Sequence, residues 1–327
     1  MIRQALCKAY AKLNLGLRVL YKRPDGYHEL RTVFQTISLA DTLEISFAPA
    51  RSVRIEMEGT SDIPDNLAER AARLVLETAG KQGSVHLNLR KKIPAGAGLG
   101  GGSSDAAAVL LALPVLTGLR LSMEQLSNLA AQLGSDVPFF LYGGTALGLG
   151  RGEELYPLPD RPAEQALLIV PAIHSSTAEA YRDLSAGLAS GSLTNPLLQN
   201  KLDSFRRAVW DGVLGDSKSP IINDFEGVVI ARYPALAGIR ERLRRAGATR
   251  VAMTGSGSAI FGIFDNPGKL ERANLGWNAR SAEDGDVEKA FAVSFVTRAR
   301  YRGQWRRALG QNRKGDDTWP PQSPHAR

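Results

Sequence analysis

The residues with the clearest chemical use form one run, Ile93-Pro94-Ala95-Gly96-Ala97-Gly98-Leu99-Gly100-Gly101-Gly102-Ser103-Ser104-Asp105, which passes at once into the apolar, alanine-rich stretch Ala106 to Leu113. A loop with few side chains that empties into a helix leaves backbone N–H groups free to surround an anion. Upstream, Val85, Leu87 and Leu89 alternate with His86, Asn88 and Arg90, the pattern of a strand. Strand, glycine loop and helix in that order make a cradle for a polyphosphate. Gly96, Gly98 and Gly101 match the dinucleotide spacing. The acidic strand end which that pattern wants about twenty residues on would fall at Leu121 to Glu124, where another helix begins. A Walker A loop ends Gly-Lys-Ser/Thr, and no lysine precedes Ser103. A linker could share this composition, but linkers do not usually join a clean strand to a clean helix.

Four other places carry usable groups. Lys12 and Asn14 sit two apart on the polar face of an alternating stretch whose other face is Cys7, Ala9, Ala11, Leu13, Leu15, Leu17 and Val19. A strand can present a cation and an amide to one ligand this way, or simply to solvent. Pro24-Asp25-Gly26 has turn chemistry and displays Tyr27 and His28 at the mouth of a hairpin. An aromatic ring with an imidazole suits a pyrimidine, one to stack and one to hydrogen-bond its edge, and also suits an ordinary hairpin tip. Asp136 follows Gly134-Ser135 at a helix boundary, as an N-cap or as a carboxylate able to take a proton. Thr254-Gly255-Ser256-Gly257-Ser258 has the composition of a phosphate contact and of a tight hairpin alike.

Pro94-x-x-x-Gly98-Leu99-Gly100-x-x-Ser103-Ser104 resembles the phosphate loop of the galactokinase, homoserine kinase, mevalonate kinase and phosphomevalonate kinase superfamily. The resemblance extends to Ala11-Lys12-Leu13-Asn14, Asp25-Gly26-Tyr27-His28, Gly134-Ser135-Asp136-Val137-Pro138 and the Thr254 to Ser258 turn, and covers roughly residues 5 to 297. It implies an α+β, two-domain small-molecule kinase with its cleft between the domains. The implied reaction moves the γ-phosphoryl of ATP, with Mg²⁺, to the 2-hydroxyl of 4-diphosphocytidyl-2-C-methyl-D-erythritol in the non-mevalonate isoprenoid pathway. It implies Lys12 and Asp136 as catalytic residues and Pro94 to Ser104 as the ATP-binding loop. Ser104 would face the metal, and Asn66 and Lys91 would lie near the nucleotide; a helix cap and a snorkelling strand end explain those two equally well. On the substrate side it implies Asn14, Tyr27, His28, Thr177, Tyr181, Gly255 and Ser256. A sister kinase acting on mevalonate-type or homoserine substrates would share the loop but lack Asp-Gly-Tyr-His.

The elements that must hold these groups follow from the pattern. Strands are expected over 5–20, 30–37, 41–47, 52–58, 145–150 and 166–170, and helices from Asp65-Asn66, from Ser103, from the Ser122-x-x-Gln125 capping box, from Thr177, from Asn223 and over 236–246. Pro114 is expected to end or kink the helix begun at Ser103. With 327 residues and 43% apolar content a sizeable core is available. Punctuation from Pro157 to Pro162 divides the chain into an N-terminal nucleotide-binding domain (1–160) and a C-terminal substrate domain (161–297), leaving 298–327 as a basic, disordered tail. That tail carries +6 of the net charge of +8, so the body is nearly neutral and nucleic-acid binding would rest on the tail with Trp305 and Trp319. No run is long and apolar enough to span a membrane, and the lone Cys7 points to a reducing, cytoplasmic setting.

Overall fold

The alternation around Lys12 continues in both directions, giving a 20-residue strand, β1 (Arg3–Lys22). The Pro24-Asp25-Gly26 turn folds it back antiparallel onto β2 (His28–Pro49), with Cys7 opposite Leu43 and Lys12 opposite Thr36. The computed structural model describes residues 2–59, 65–161, 163–185, 196–209, 220–283 and 288–312. β2 merges the two strands expected over 30–37 and 41–47. A fully buried carboxylate, Asp41, lies within it and is tolerated because the backbone N–H of Ile93 donates to it at 2.8 Å and Lys91 pairs with it.

β3 (Arg54–Glu58), α1 (Leu67–Thr78), β4 (Gly83–Arg90), α2 (Gly101–Thr117), α3 (Met123–Leu133), α4 (Phe139–Tyr142), β5 (Thr145–Leu149) and β6 (Glu154–Pro157) complete the first layer. Its sheet runs β3-β4-β2-β5-β6, with β1 also paired to β2. Residues 42–49 of β2 pair with β4, and residues 32–35 with β5. α2 is apolar around its circumference and is the central core helix. It continues through Pro114 to Thr117, beyond the expected stop. Pro114 lies in the last turn, where it forfeits one ladder bond between the buried Leu113 and Leu116, and Gly118 at φ 74° ends the helix.

The second layer comprises β7 (Gln165–Val170), α5 (Thr177–Ser185), α6 (Pro196–Val209), α7 (Phe225–Arg232), α8 (Ala235–Arg245), β8 (Arg250–Met253), β9 (Ile260–Phe264), α9 (Pro267–Glu283), β10 (Lys289–Ser294) and α10 (Arg298–Leu309). Its antiparallel sheet runs β10-β7-β9-β8. β1 joins the layers: Cys7 and Ala9 belong to the first core, Ala11 and Leu13 to a middle one, and Leu17 and Val19 to the third. Lys12 and Asn14 therefore stand where the layers meet.

The tail expectation fails over 298–312. Tyr301, Trp305 and Leu309, spaced by four, form a helical stripe that packs under the first sheet at 2%, 1% and 0% exposure. Tyr301 donates to the Phe140 carbonyl and lies 5.9 Å from the Tyr10 ring, and Gln304 donates to the Lys8 carbonyl at 3.1 Å. The arginines between them dominated the composition and hid the stripe. Trp305 is thus core and not a stacking platform, while residues 313–327, Trp319 included, lie outside the described residues.

Candidate active site

The glycine loop is pinned from behind. Ala97 and Leu99 are buried in the middle core, and the Leu99 carbonyl accepts the Lys12 N–H at 3.0 Å, so loop and β1 are tied together. Gly98 and Gly100 adopt φ 77° and 71°. A Cβ on Gly98 would lie 2.4 Å from the Thr254 carbonyl oxygen, and one on Gly100 2.8 Å from the Phe140 ring. Backbone conformation and close approach both demand glycine. α2 starts on Gly100 with no side-chain cap, and Ser104 Oγ is buried without a hydrogen-bond partner. These are the unsatisfied donors and the orphaned oxygen that an anion with its counter-ion would complete.

Gly98, Gly100 and Ser103 line a cleft of about 750 Å³. Facing them on β1, Lys12 Nζ donates to Asn14 Oδ1 at 2.7 Å and lies 3.5 Å from Asp136 Oδ2. The lysine side chain is 4% exposed and the aspartate 35%. Asp136 does not cap α4, whose N-cap is Pro138, and among the described residues its charge partner is Lys12. The N-cap reading is therefore set aside, and the partly exposed carboxylate lines the cleft. Asn14 is a hub: its Oδ1 also accepts the Gly255 N–H at 3.0 Å, and its Nδ2 donates to Thr32 Oγ1 at 2.7 Å. Asn223 donates to the carbonyls of Met253 and Gly255, both at 2.8 Å, and holds that turn from the other side. Thr177 and Ser256 join their hydroxyls at 2.8 Å, fixing the start of α5 against the turn.

At the other end Asp25 Oδ1 accepts the Tyr27 N–H at 3.1 Å, and the Tyr27 ring is 53% exposed with the Arg151 guanidinium 4.6 Å from its centre. The His28 ring stacks on Tyr181 at 4.9 Å, and Tyr181 meets Phe225 edge-on at 4.8 Å. Burial, then the charge of Lys22, lowers the His28 pKa; burial, then the charge of Asp136, raises that of Tyr181.

The family model described as GHMP kinases N terminal domain matches residues 66–144, and that for GHMP kinases C terminal matches 214–282. A Solibacter usitatus protein named 4-diphosphocytidyl-2-C-methyl-D-erythritol kinase is 53% identical over 322 residues, 98% of this chain and 98% of its own. The chain belongs to the 4-diphosphocytidyl-2-C-methyl-D-erythritol kinase family. A Geobacillus kaustophilus protein of the same name is 40% identical, over 88% of this chain and 96% of its own. A crystal structure of 4-(cytidine 5'-diphospho)-2C-methyl-D-erythritol kinase superposes with a TM-score of 0.71 at 38% identity, covering 90% of this chain and 99% of that one. Homoserine kinase from Cytophaga hutchinsonii shares the fold alone, at TM-score 0.69 and 19% identity over 90% of this chain and 95% of that one.

In this kinase chain Lys12, Asn14, Tyr27, His28, Gly98, Gly100, Ser103, Asp136, Thr177, Tyr181, Gly255 and Ser256 share one cleft. Asn66 and Lys91 are not among the residues lining it. Asn66 Oδ1 caps α1 by accepting the Ala68 N–H at 2.9 Å, and Lys91 is held beneath the start of α2 by Asp41 and, at 2.7 Å, by Asp105. Burial pushes the Asp105 carboxyl up to about 7; the Asp41 charge adds to the rise and Lys91 opposes it. Pro94, Ala95, Gly96, Gly101, Gly102 and Ser104 shape the loop from outside the cleft wall, with Gly96 pressed against the His174 ring and Gly101 against Ile93 and Lys91. Thr32, Phe34 and Arg151 line the cleft and were not expected. Only the pairing of β2 with β5 brings Arg151 beside Tyr27, and no local pattern signals it.

Proposed function

We propose that this chain transfers the γ-phosphoryl of ATP to the 2-hydroxyl of 4-diphosphocytidyl-2-C-methyl-D-erythritol. The observation that carries the reading is the Lys12–Asp136 pair at 3.5 Å, set in the same cleft as the glycine loop and the Tyr27–His28 hairpin. Backbone N–H groups of the loop and the start of α2 hold the triphosphate, each dipole contact contributing on the order of 1 kcal/mol. Asp136 accepts the hydrogen bond of the acceptor hydroxyl and receives its proton as transfer proceeds. Lys12, held in place by Asn14, offsets charge gathering on the transferred group.

Mg²⁺ fits with a mostly non-protein shell. Ser104 supplies the orphaned oxygen, and among the described residues no cluster of three or more His, Cys, Asp or Glu is suited to a metal. When bound it neutralises phosphate oxygens. Tyr27 and His28 receive the cytidine ring, and Thr177, Tyr181, Gly255 and Ser256 border the rest of the substrate. We read residues 1–160 and 161–297 as the two domains, with α10 returning to the first. A cytoplasmic setting follows from the lone, buried Cys7; no described helix is long and apolar enough to cross a membrane.

A coupled ADP-release assay with this substrate, mevalonate and homoserine tests the reading. Turnover is expected with the cytidyl substrate. Turnover with one of the other two, and none with the cytidyl substrate, would overturn the reading.

A further inference from the structure

Ser185, the last residue of α5, makes two contacts at once. Its Oγ lies 2.6 Å from the Tyr181 carbonyl and 2.8 Å from His28 Nε2. A hydroxyl has one proton, and a carbonyl can only accept, so that proton belongs to the Tyr181 bond. Toward His28 the serine oxygen can then only accept, and Nε2 must carry the ring's hydrogen. Burial, then the charge of Lys22, lowers the ring's pKa and so favours its neutral form. Its other nitrogen, Nδ1, is therefore a bare acceptor, and among the described residues it has no hydrogen-bond partner. Stacking on Tyr181 at 4.9 Å and 24° fixes the plane in which that lone pair lies.

We propose that Ser185 is a specificity-determining residue: by fixing the tautomer of His28 it makes the cleft accept a cytosine ring and reject a uracil ring. This rests on the reading above that His28 meets the base. Cytosine offers an amino N–H where uracil offers a carbonyl oxygen, and only the amino group satisfies a bare ring nitrogen. For uracil to bind, His28 would have to move its proton to Nδ1 and set two lone pairs against each other at Ser185. Otherwise the serine would have to turn away from Tyr181. Either way one hydrogen bond is lost and a polar atom is left unpaired, which is the situation in which binding sites discriminate most strongly.

The test is isothermal titration of CDP and UDP against the full chain, with ADP saturating the nucleotide loop, for wild type, Ser185→Ala, Ser185→Thr and His28→Ala. Wild type should prefer CDP. Ser185→Ala should narrow the preference by about tenfold, chiefly by gaining UDP affinity, the scale of one hydrogen bond left unmade, while Ser185→Thr should restore it. Nitrogen NMR of the ligand-free wild type should show His28 protonated at Nε2 and bare at Nδ1, and Ser185→Ala should show mixed tautomers. A preference lost in His28→Ala but unchanged in Ser185→Ala, or a wild-type ring protonated at Nδ1, overturns the proposal and leaves the base reading intact. A preference unchanged in His28→Ala overturns both.

Discussion

At one end of the cleft Gly98 and Gly100 present backbone that is locked from behind by Leu99 and Lys12, whereas at the other Tyr27 stands 53% exposed on a turn with the Arg151 guanidinium over its ring. The loop end recognises charge with main chain, where conformation leaves no room for variation. The hairpin end recognises shape with side chains, each of which rests on one or two neighbours. Between them Lys12 and Asn14 sit on β1, the strand common to all three cores, so these two groups are anchored in packed core on every side. Substitutions at the loop end should therefore be all-or-none, and those at the hairpin end graded.

Gly100→Val should have the largest effect. A branched side chain at φ 71° would be driven against the buried Phe140 ring at 2.8 Å and the Lys12 stem, so the loop must shift off its support; ADP binding should vanish in a titration while circular dichroism shows the secondary structure retained. Retained ADP affinity would remove the cradle.

Asp136→Asn tests the middle. We expect kcat to fall by about 10²-fold or more, the range for a lost acid–base partner, with ADP affinity nearly unchanged because Asp136 contacts Lys12 and not the loop. Wild-type turnover would return Asp136 to a structural role.

Tyr27→Ala samples the graded end. Loss of a stacking ring should weaken CDP binding by about 1–3 kcal/mol and leave ADP untouched, since the loop lies across the cleft. Equal losses for both nucleotides would mean that the two ends are not independent.

Ser104→Ala should be the mildest. It removes a buried hydroxyl that has no protein partner, so the apo fold should melt within about 1 kcal/mol of wild type. The Mg²⁺ concentration needed for half-maximal rate should rise severalfold. An unchanged Mg²⁺ titration would take the metal away from this residue.

Local pattern was enough to place the loop between a strand and a helix, because glycine spacing, strand alternation and an alanine run are all properties of near neighbours. It also placed Tyr27 and His28 at a turn and the capping box at Ser122, which pairs reciprocally with Gln125. It misjudged what depends on distant partners. Asp41 could join two strands into β2 only because Lys91 and the Ile93 N–H arrive from fifty residues away. For Asn66 and Lys91 the sequence left a nucleotide role open beside a helix cap and a strand end, and the structure shows a cap bond and an ion pair made by them. Tyr301, Trp305 and Leu309 lay hidden among arginines until the first sheet offered them a surface to bury against.

The amino-acid order by itself determined which backbone can bend, which residues alternate and where helices begin, since φ preference, side-chain periodicity and capping act within a few residues. Only the tertiary structure decided which polar groups were free to act. Lys12 reaches Asp136 across 124 positions, Asn14 reaches Gly255 across 241, and Arg151 reaches Tyr27 only through strand pairing. Whether a buried hydrogen-bonding group is already satisfied depends on every neighbour that packing brings to it, and the order of residues does not contain that information in local form.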